Sequence, residues 1–131
     1  DVFNDDYSLK RLARNIKQGL WSAKLKIYKY GDAIELMESS RPKYPHYPGF
    51  FVGWDNTARR GENAIVMTGG TPDIVATHLS RVIDNVNNVP LDRRIIFLNA
   101  WNEWAEGMYL EPNSLHGIRL LEAVRSVIHP N

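Results

Sequence analysis

Three glutamates, two asparagines and two tryptophans crowd residues 98–112, LNAWNEWAEGMYLEP, directly after the apolar run Ile95-Ile96-Phe97-Leu98. A surface loop has little use for that much aromatic area, and a core has none for three carboxylates. A site accounts for both. Glu103 and Glu106 are the candidate catalytic pair. On a continuous strand, residues three apart point to opposite faces. On a helical turn they are neighbours, with Cβ atoms about 5–6 Å apart, and Gly107 permits a tight turn there. Carboxylate pairs carry out glycoside chemistry at separations of about 5–5.5 Å in retaining and about 6.5–9.5 Å in inverting enzymes. Glu-x-x-Glu alone is common on solvated helix faces, so the flanking tryptophans and the strand-end position give the pair its weight.

A second apolar run, Gly49-Phe50-Phe51-Val52-Gly53, ends in Trp54-Asp55-Asn56. Two strand ends bearing an aromatic plate beside amides and carboxylates would build one lip of a cleft. Sugars ask for that mixture, since their C–H faces lie on aromatic rings and their hydroxyls bond planar acceptors and donors. The candidate substrate contacts are Trp54, Asp55, Asn56, Arg59, Trp101, Asn102, Trp104, Tyr109 and Glu111. Each has a plainer reading. The tryptophans would close the end of a core, and Asp55 would hold a turn through Asn56 and Thr57. Glu111 would start a turn, cap, or pair with Arg119. The Arg59-Arg60 and Arg93-Arg94 pairs would bind phosphate or lie solvated. His46, His78, His116 and His129 show no metal-ligand spacing and receive no catalytic role. A hard cation on Asp55, Glu103 and Glu106 has no supporting loop pattern, and no phosphate loop, Ser-His-Asp set or zinc motif is visible. These residues require no metal and no cofactor.

The elements that must position these residues read as follows. Leu9, Leu12, Ile16 and Leu20 mark an amphipathic helix. Residues 24–30 alternate briefly as a short strand, and a helix begins at Gly31-Asp32. Residues 39–48, with three prolines, form a loop. Residues 49–53 and 94–98 read as strands buried on both faces. Ile65-Val66-Met67 is a small apolar patch in a polar, glycine-rich stretch. Thr71-Pro72-Asp73 opens a helix with a capping hydroxyl, a proline and an acid, continued by Val75, Leu79, Val82, Ile83 and Val86. A last helix begins near Ser114, with Ile118, Leu121, Val124 and Ile128 on one side. Buried strands alternating with helices predict an α/β fold with a parallel sheet.

At 131 residues the chain is one domain's worth, 44% hydrophobic and 24% charged, with a net charge of +1. That balance gives no sign of a nucleic-acid partner. No run spans a bilayer, and without cysteine there is no disulfide or thiolate site. Two clear strands do not make a stable parallel sheet alone, and the first residue is Asp1, so a piece of a longer chain is expected. Alone, it is expected to form a homo-oligomer through the edges left open, and to be inactive.

GWDNTARR, then LNAWNEWAEGMYLEP, then HGIRLLEAV resemble the C-terminal part of the WbsX-like proteins, a glycosyltransferase family of lipopolysaccharide and polysaccharide biosynthesis. That family is similar in turn to glycoside hydrolase family 99, the endo-acting α-mannosidases and mannanases. The likeness spans residues 47–124, and its long second motif is specific. It implies the C-terminal portion of a (β/α)8 barrel, with two to three parallel strands here and the motifs on loops after the late strands. It also implies a bacterial, cytoplasmic protein acting on a carbohydrate, a nucleotide sugar among the candidates. Carried over by position, Glu103 would assist from the sugar 2-hydroxyl and Glu106 would be the general acid/base. Ala105 stands where the hydrolase pattern favours histidine, which agrees better with the WbsX-like branch. The alternatives are a non-catalytic sugar-binding module and a structural, oligomeric fragment.

Overall fold

The computed structural model of the chain describes residues 25–130. The helix expected over residues 9–20 lies outside them. In order come β1 (Lys26–Lys29), α1 (Tyr30–Ser39), β2 (Gly49–Phe51), β3 (Trp54–Asp55), α2 (Thr57–Arg60) and β4 (Ile65–Thr68). Then follow α3 (Pro72–Val86), β5 (Phe97–Asn99), β6 (Asn102–Glu103), β7 (Met108–Tyr109) and α4 (Arg119–Ile128).

The frame is a strand–helix–strand unit. β2 and β5 pair in parallel, Gly49 opposite Phe97 and Phe51 opposite Asn99, and α3 makes the crossover between them. α4 follows β5 and packs against α3. The two successive strand-to-helix connections, residues 52–71 and 100–118, therefore carry the two motifs at the C-terminal ends of parallel strands. That is where α/β folds keep their sites.

The first connection has structure of its own. β4 pairs antiparallel with β3, Trp54 opposite Met67, and parallel with β1, Lys26 opposite Ile65. The apolar patch at residues 65–67 is thus the central strand of a three-stranded sheet. Asn56 closes the excursion between β3 and β4: its Oδ1 accepts the Ile65 N–H at 2.8 Å, and its N–H donates to the Ile65 carbonyl.

α3 forms as its periodicity predicts, with Val75, Leu79, Val82 and Val86 buried along one face and Pro72 in the first turn. Thr71 occupies the cap position, but its hydroxyl makes no capping bond. Proline, which has no N–H to satisfy, and Asp73 near the positive helix end carry the start instead. The core gathers Tyr30, Ile34, Phe50, Val52, Val75, Leu79, Leu110 and Leu120. Leu121 and Val124 pack against it, whereas Ile118 is exposed.

β5 departs from expectation. It was to be buried on both faces, yet Phe97 is 60% exposed and Leu98 is exposed too. Among the described residues β5 has a strand partner on one edge only, and its apolar side chains lack a covering layer. The helix expected from Ser114 starts at Arg119 instead. Residues 113–117 form a turn in which Asn113 Oδ1 accepts the N–H groups of Leu115 and His116.

Tyr30 ties three elements together. Its hydroxyl donates to the Phe51 carbonyl at 2.5 Å and accepts from His78 Nδ1 at 2.9 Å, joining α1, β2 and α3. Burial pushes the Tyr30 phenol well up. It pushes His78 down from its ordinary 6.5, with Glu38 opposing and Arg81 and Arg41 adding to the effect. The unfolded chain then binds the proton near pH 6.5, and the folded chain only at lower pH. Between those points the unfolded state holds more protons, so stability rises with pH. We expect the melting temperature to fall as pH drops below about 6.5. His78→Gln, which does not titrate, should flatten that part of the profile; melts from pH 5 to 8 on both proteins read it.

Candidate functional site

Residues 101–111 fold as a hairpin standing on the end of β5. Asn102 pairs with Tyr109 and Glu103 with Met108. The Trp101 carbonyl accepts the N–H groups of Leu110 and Glu111 and closes its base. Trp104–Glu106 forms a 3-10 turn, with Glu103 at its cap position but making no side-chain capping bond, and Gly107 following in the left-handed region at φ 60°. Glu106 thus sits in the turn itself, whereas Glu103 ends β6 just ahead of it.

Gly107 fixes where the hairpin sits. A Cβ built there would lie 2.8 Å from both the Cβ and the backbone nitrogen of Asp55. The turn thus rests directly on β3, and only glycine fits both the dihedral and the space.

The three carboxylates differ in what they meet. Glu106 is ion-paired with Arg59 of α2 at 2.5 Å. Glu111 accepts the indole N–H of Trp104 at 2.6 Å. Glu103 is exposed, with no side-chain hydrogen bond or ion pair among the described residues. The Arg59 side chain is 58% exposed and that of Glu106 21%. Screening limits such a pair to about 0–1 kcal/mol, so its consequence is orientation rather than stability.

The tryptophans of the motif are not core. Trp101 and Trp104 are 51% and 48% exposed. Trp104 stacks on Tyr109, ring centroids 3.8 Å apart and 14° from parallel. One face against Tyr109 and the N–H on Glu111 hold that ring as a braced plate at the surface. The plain reading of Asp55 does describe part of it: Oδ1 accepts the Thr57 N–H and hydroxyl, which starts α2. Asn56 is buried, its Oδ1 committed to the Ile65 backbone. A role in holding the fold accounts for it without a ligand.

The two connections meet at a cavity of about 410 Å³. Trp54, Asp55 and Tyr109 line it, together with the glycines at 53, 69, 70 and 107 and with His116. Glu103, Glu106, Asn102, Trp101, Trp104, Glu111, Asn56 and Arg59 do not. The candidate residues therefore divide between the cavity and the adjoining hairpin rather than forming one pocket. His116 received no role from its spacing. The only hint in the sequence was its place before Gly117, which takes φ 58° and ends the turn leading into α4. Among the described residues no group of three or more His, Asp or Glu side chains is placed to hold a metal ion. No described helix is long and apolar enough to cross a membrane.

Gly107→Ala should cost at least about 1–2 kcal/mol from the dihedral alone, and more from the contact with Asp55. Lower thermal stability, with the Trp104 indole resonance displaced, is the expected result. A variant as stable as the parent would show that the hairpin does not rest on β3.

No solved structure matches the chain. The WxcX proteins of two strains of Xanthomonas campestris pv. campestris are 35% and 38% identical to it over 106 residues. Those alignments cover 75% of this chain and 15% of each relative, so the chain spans a small part of their length. The family described as Glycosyltransferase WbsX matches residues 3–124. A match over nearly the whole chain, through both strand-end motifs, places it in that family: the chain belongs to the WbsX glycosyltransferases.

Proposed function

We propose that the chain carries the sugar-handling edge of a carbohydrate-active protein of cell-surface polysaccharide assembly, one that transfers glycosyl units. The observation that carries this reading is the hairpin at the end of β5. It holds a free carboxylate at Glu103, an oriented one at Glu106 and a braced, half-exposed ring at Trp104. Family membership supports the class of chemistry, and Ala105 in place of histidine agrees better with the WbsX-like branch than with the hydrolases. Glu103 is the carboxylate with freedom to meet a sugar hydroxyl. Glu106 is the proton-transfer group, and Arg59 sets its position. Trp104, Trp101 and Tyr109 supply apolar surface for a sugar ring, and Asn102 lies beside them.

For the whole domain we propose a (β/α)8 barrel. The support is the pair of successive strand–helix units, with both motifs on connections at the strands' C-terminal ends. The exposed side of β5 is then where further strands and helices pack. In the isolated chain the same surface invites copies to associate, and sedimentation at several concentrations would show it.

A second reading, a sugar-binding module without catalysis, draws on the Arg59–Glu106 pair, since a carboxylate spent on an arginine can be purely structural. Glu103→Gln and Glu106→Gln in the full-length protein separate the two. Each keeps its side-chain size and removes charge and proton transfer, which is worth about 10²–10⁴-fold in such steps. We expect turnover to fall by that order in both, with folding and sugar binding retained. Parental turnover in both variants would sink the catalytic assignment and leave the binding module.

A further inference from the structure

Trp104 is held out in solvent by its own hairpin. An indole left to itself lies down on apolar surface, because most of its area is hydrophobic. Here two side chains on the returning strand keep it half-exposed. Tyr109 stacks on one face, and Glu111 Oε2 accepts the ring N–H at 2.6 Å. Both supports have fixed backbones. Tyr109 belongs to β7, and the Glu111 N–H donates to the Trp101 carbonyl just after buried Leu110. Glu111 makes no other side-chain hydrogen bond or ion pair among the described residues. Arg119, a partner its sequence position allowed, donates to the Leu115 and His116 carbonyls instead. The carboxylate is spent on the ring.

The two supports remove different freedoms. The outer torsion of a tryptophan side chain is broad and roughly two-fold. A half-turn about it keeps the ring parallel to Tyr109 but carries the N–H edge to the opposite side. Stacking therefore fixes the plane and not the edge. The bond to Glu111 fixes the edge, and its charged acceptor makes it one of the stronger kinds. We propose that Glu111 is a positioning residue: it selects the one stacked orientation of Trp104 whose open face takes a pyranose ring. It acts on the sugar only through that ring. Since Tyr109 covers the other face, the plate accepts a sugar from one side. Glu111 thereby becomes a support rather than a substrate contact. The inference rests on the carbohydrate reading above but not on catalysis by Glu103 and Glu106.

The test uses the full-length protein with 15N-labelled indoles, each variant melted first to confirm folding, and methyl pyranosides of neutral hexoses as probes. The Trp104 resonance is the indole signal that Trp104→Phe lacks. A hexoside should shift it in the parent. Glu111→Leu, with Glu111→Ala as the second variant, should move that resonance in the free protein. Each should also weaken hexoside binding, read by calorimetry, about two- to tenfold, as expected when the competent orientation falls to that fraction of the population. Glu111→Gln, whose amide oxygen still accepts the N–H, should recover most of the affinity. Trp104→Phe has no N–H to direct, so adding Glu111→Leu to it should cost nothing further. Loss of all binding in Trp104→Phe, with Glu111 intact, supports the same order of action. An equal loss from Glu111→Leu in the Trp104→Phe background would make Glu111 a direct sugar contact and overturn the proposal. So would an unmoved Trp104 resonance or parental affinity in Glu111→Leu, or no hexoside shifting Trp104 in the parent. The glutamate-pair assignment is read separately, by the turnover of Glu103→Gln and Glu106→Gln.

Discussion

Gly107 lies against the backbone of Asp55 at a distance no side chain tolerates, and in a dihedral region that favours glycine. That contact joins the two connections. It seats the hairpin of residues 101–111 on β3 and brings α2 up to the 3-10 turn, where Arg59 reaches Glu106. It also closes one side of the cavity, since Gly107 is part of the lining. Without it the two motifs would be independent loops on neighbouring strands. With it, a charged hairpin and an apolar cavity share one edge.

The stability of this edge comes from below, not from its charges. Phe50, Val52, Val75, Leu79, Leu110 and Leu120 form a continuous core beneath it. Leu110, at the exit of the hairpin, anchors the end of the motif in that core. The ion pair and the indole–carboxylate bond at the surface add little energy but restrict geometry. A site of this kind separates the two tasks: the core holds the fold, and the polar groups at the rim are left to aim side chains.

Much of this was legible in the sequence, for reasons that can be named. α3 was readable because five apolar residues recur at helical steps behind a proline. β2 was readable because Phe50-Phe51-Val52 lies between glycines. The motif after β5 announced itself by composition, since carboxylates and tryptophans together suit neither core nor ordinary loop. What escaped were features set by distant partners. Residues 65–68 look like a patch in a glycine-rich stretch, and become a strand only because Trp54 and Lys26 flank them in space. Asn56 reads as a site residue beside Trp54 and Asp55, and nothing in the sequence shows that its side-chain Oδ1 also accepts the Ile65 N–H, nine positions on. Phe97 and Leu98 read as doubly buried, and would be so only with neighbours that the described residues do not supply. His116 carries no spacing signal at all; only the cavity makes it notable.

The most direct measurement is a crystal structure of the full-length protein with a bound oligosaccharide. A sugar ring should lie on the open face of Trp104. A glycosidic oxygen or hydroxyl should stand within about 3 Å of Glu103 or Glu106, the reach of a proton-transfer group. An oligosaccharide bound elsewhere, with the residues of this hairpin untouched, would contradict the account.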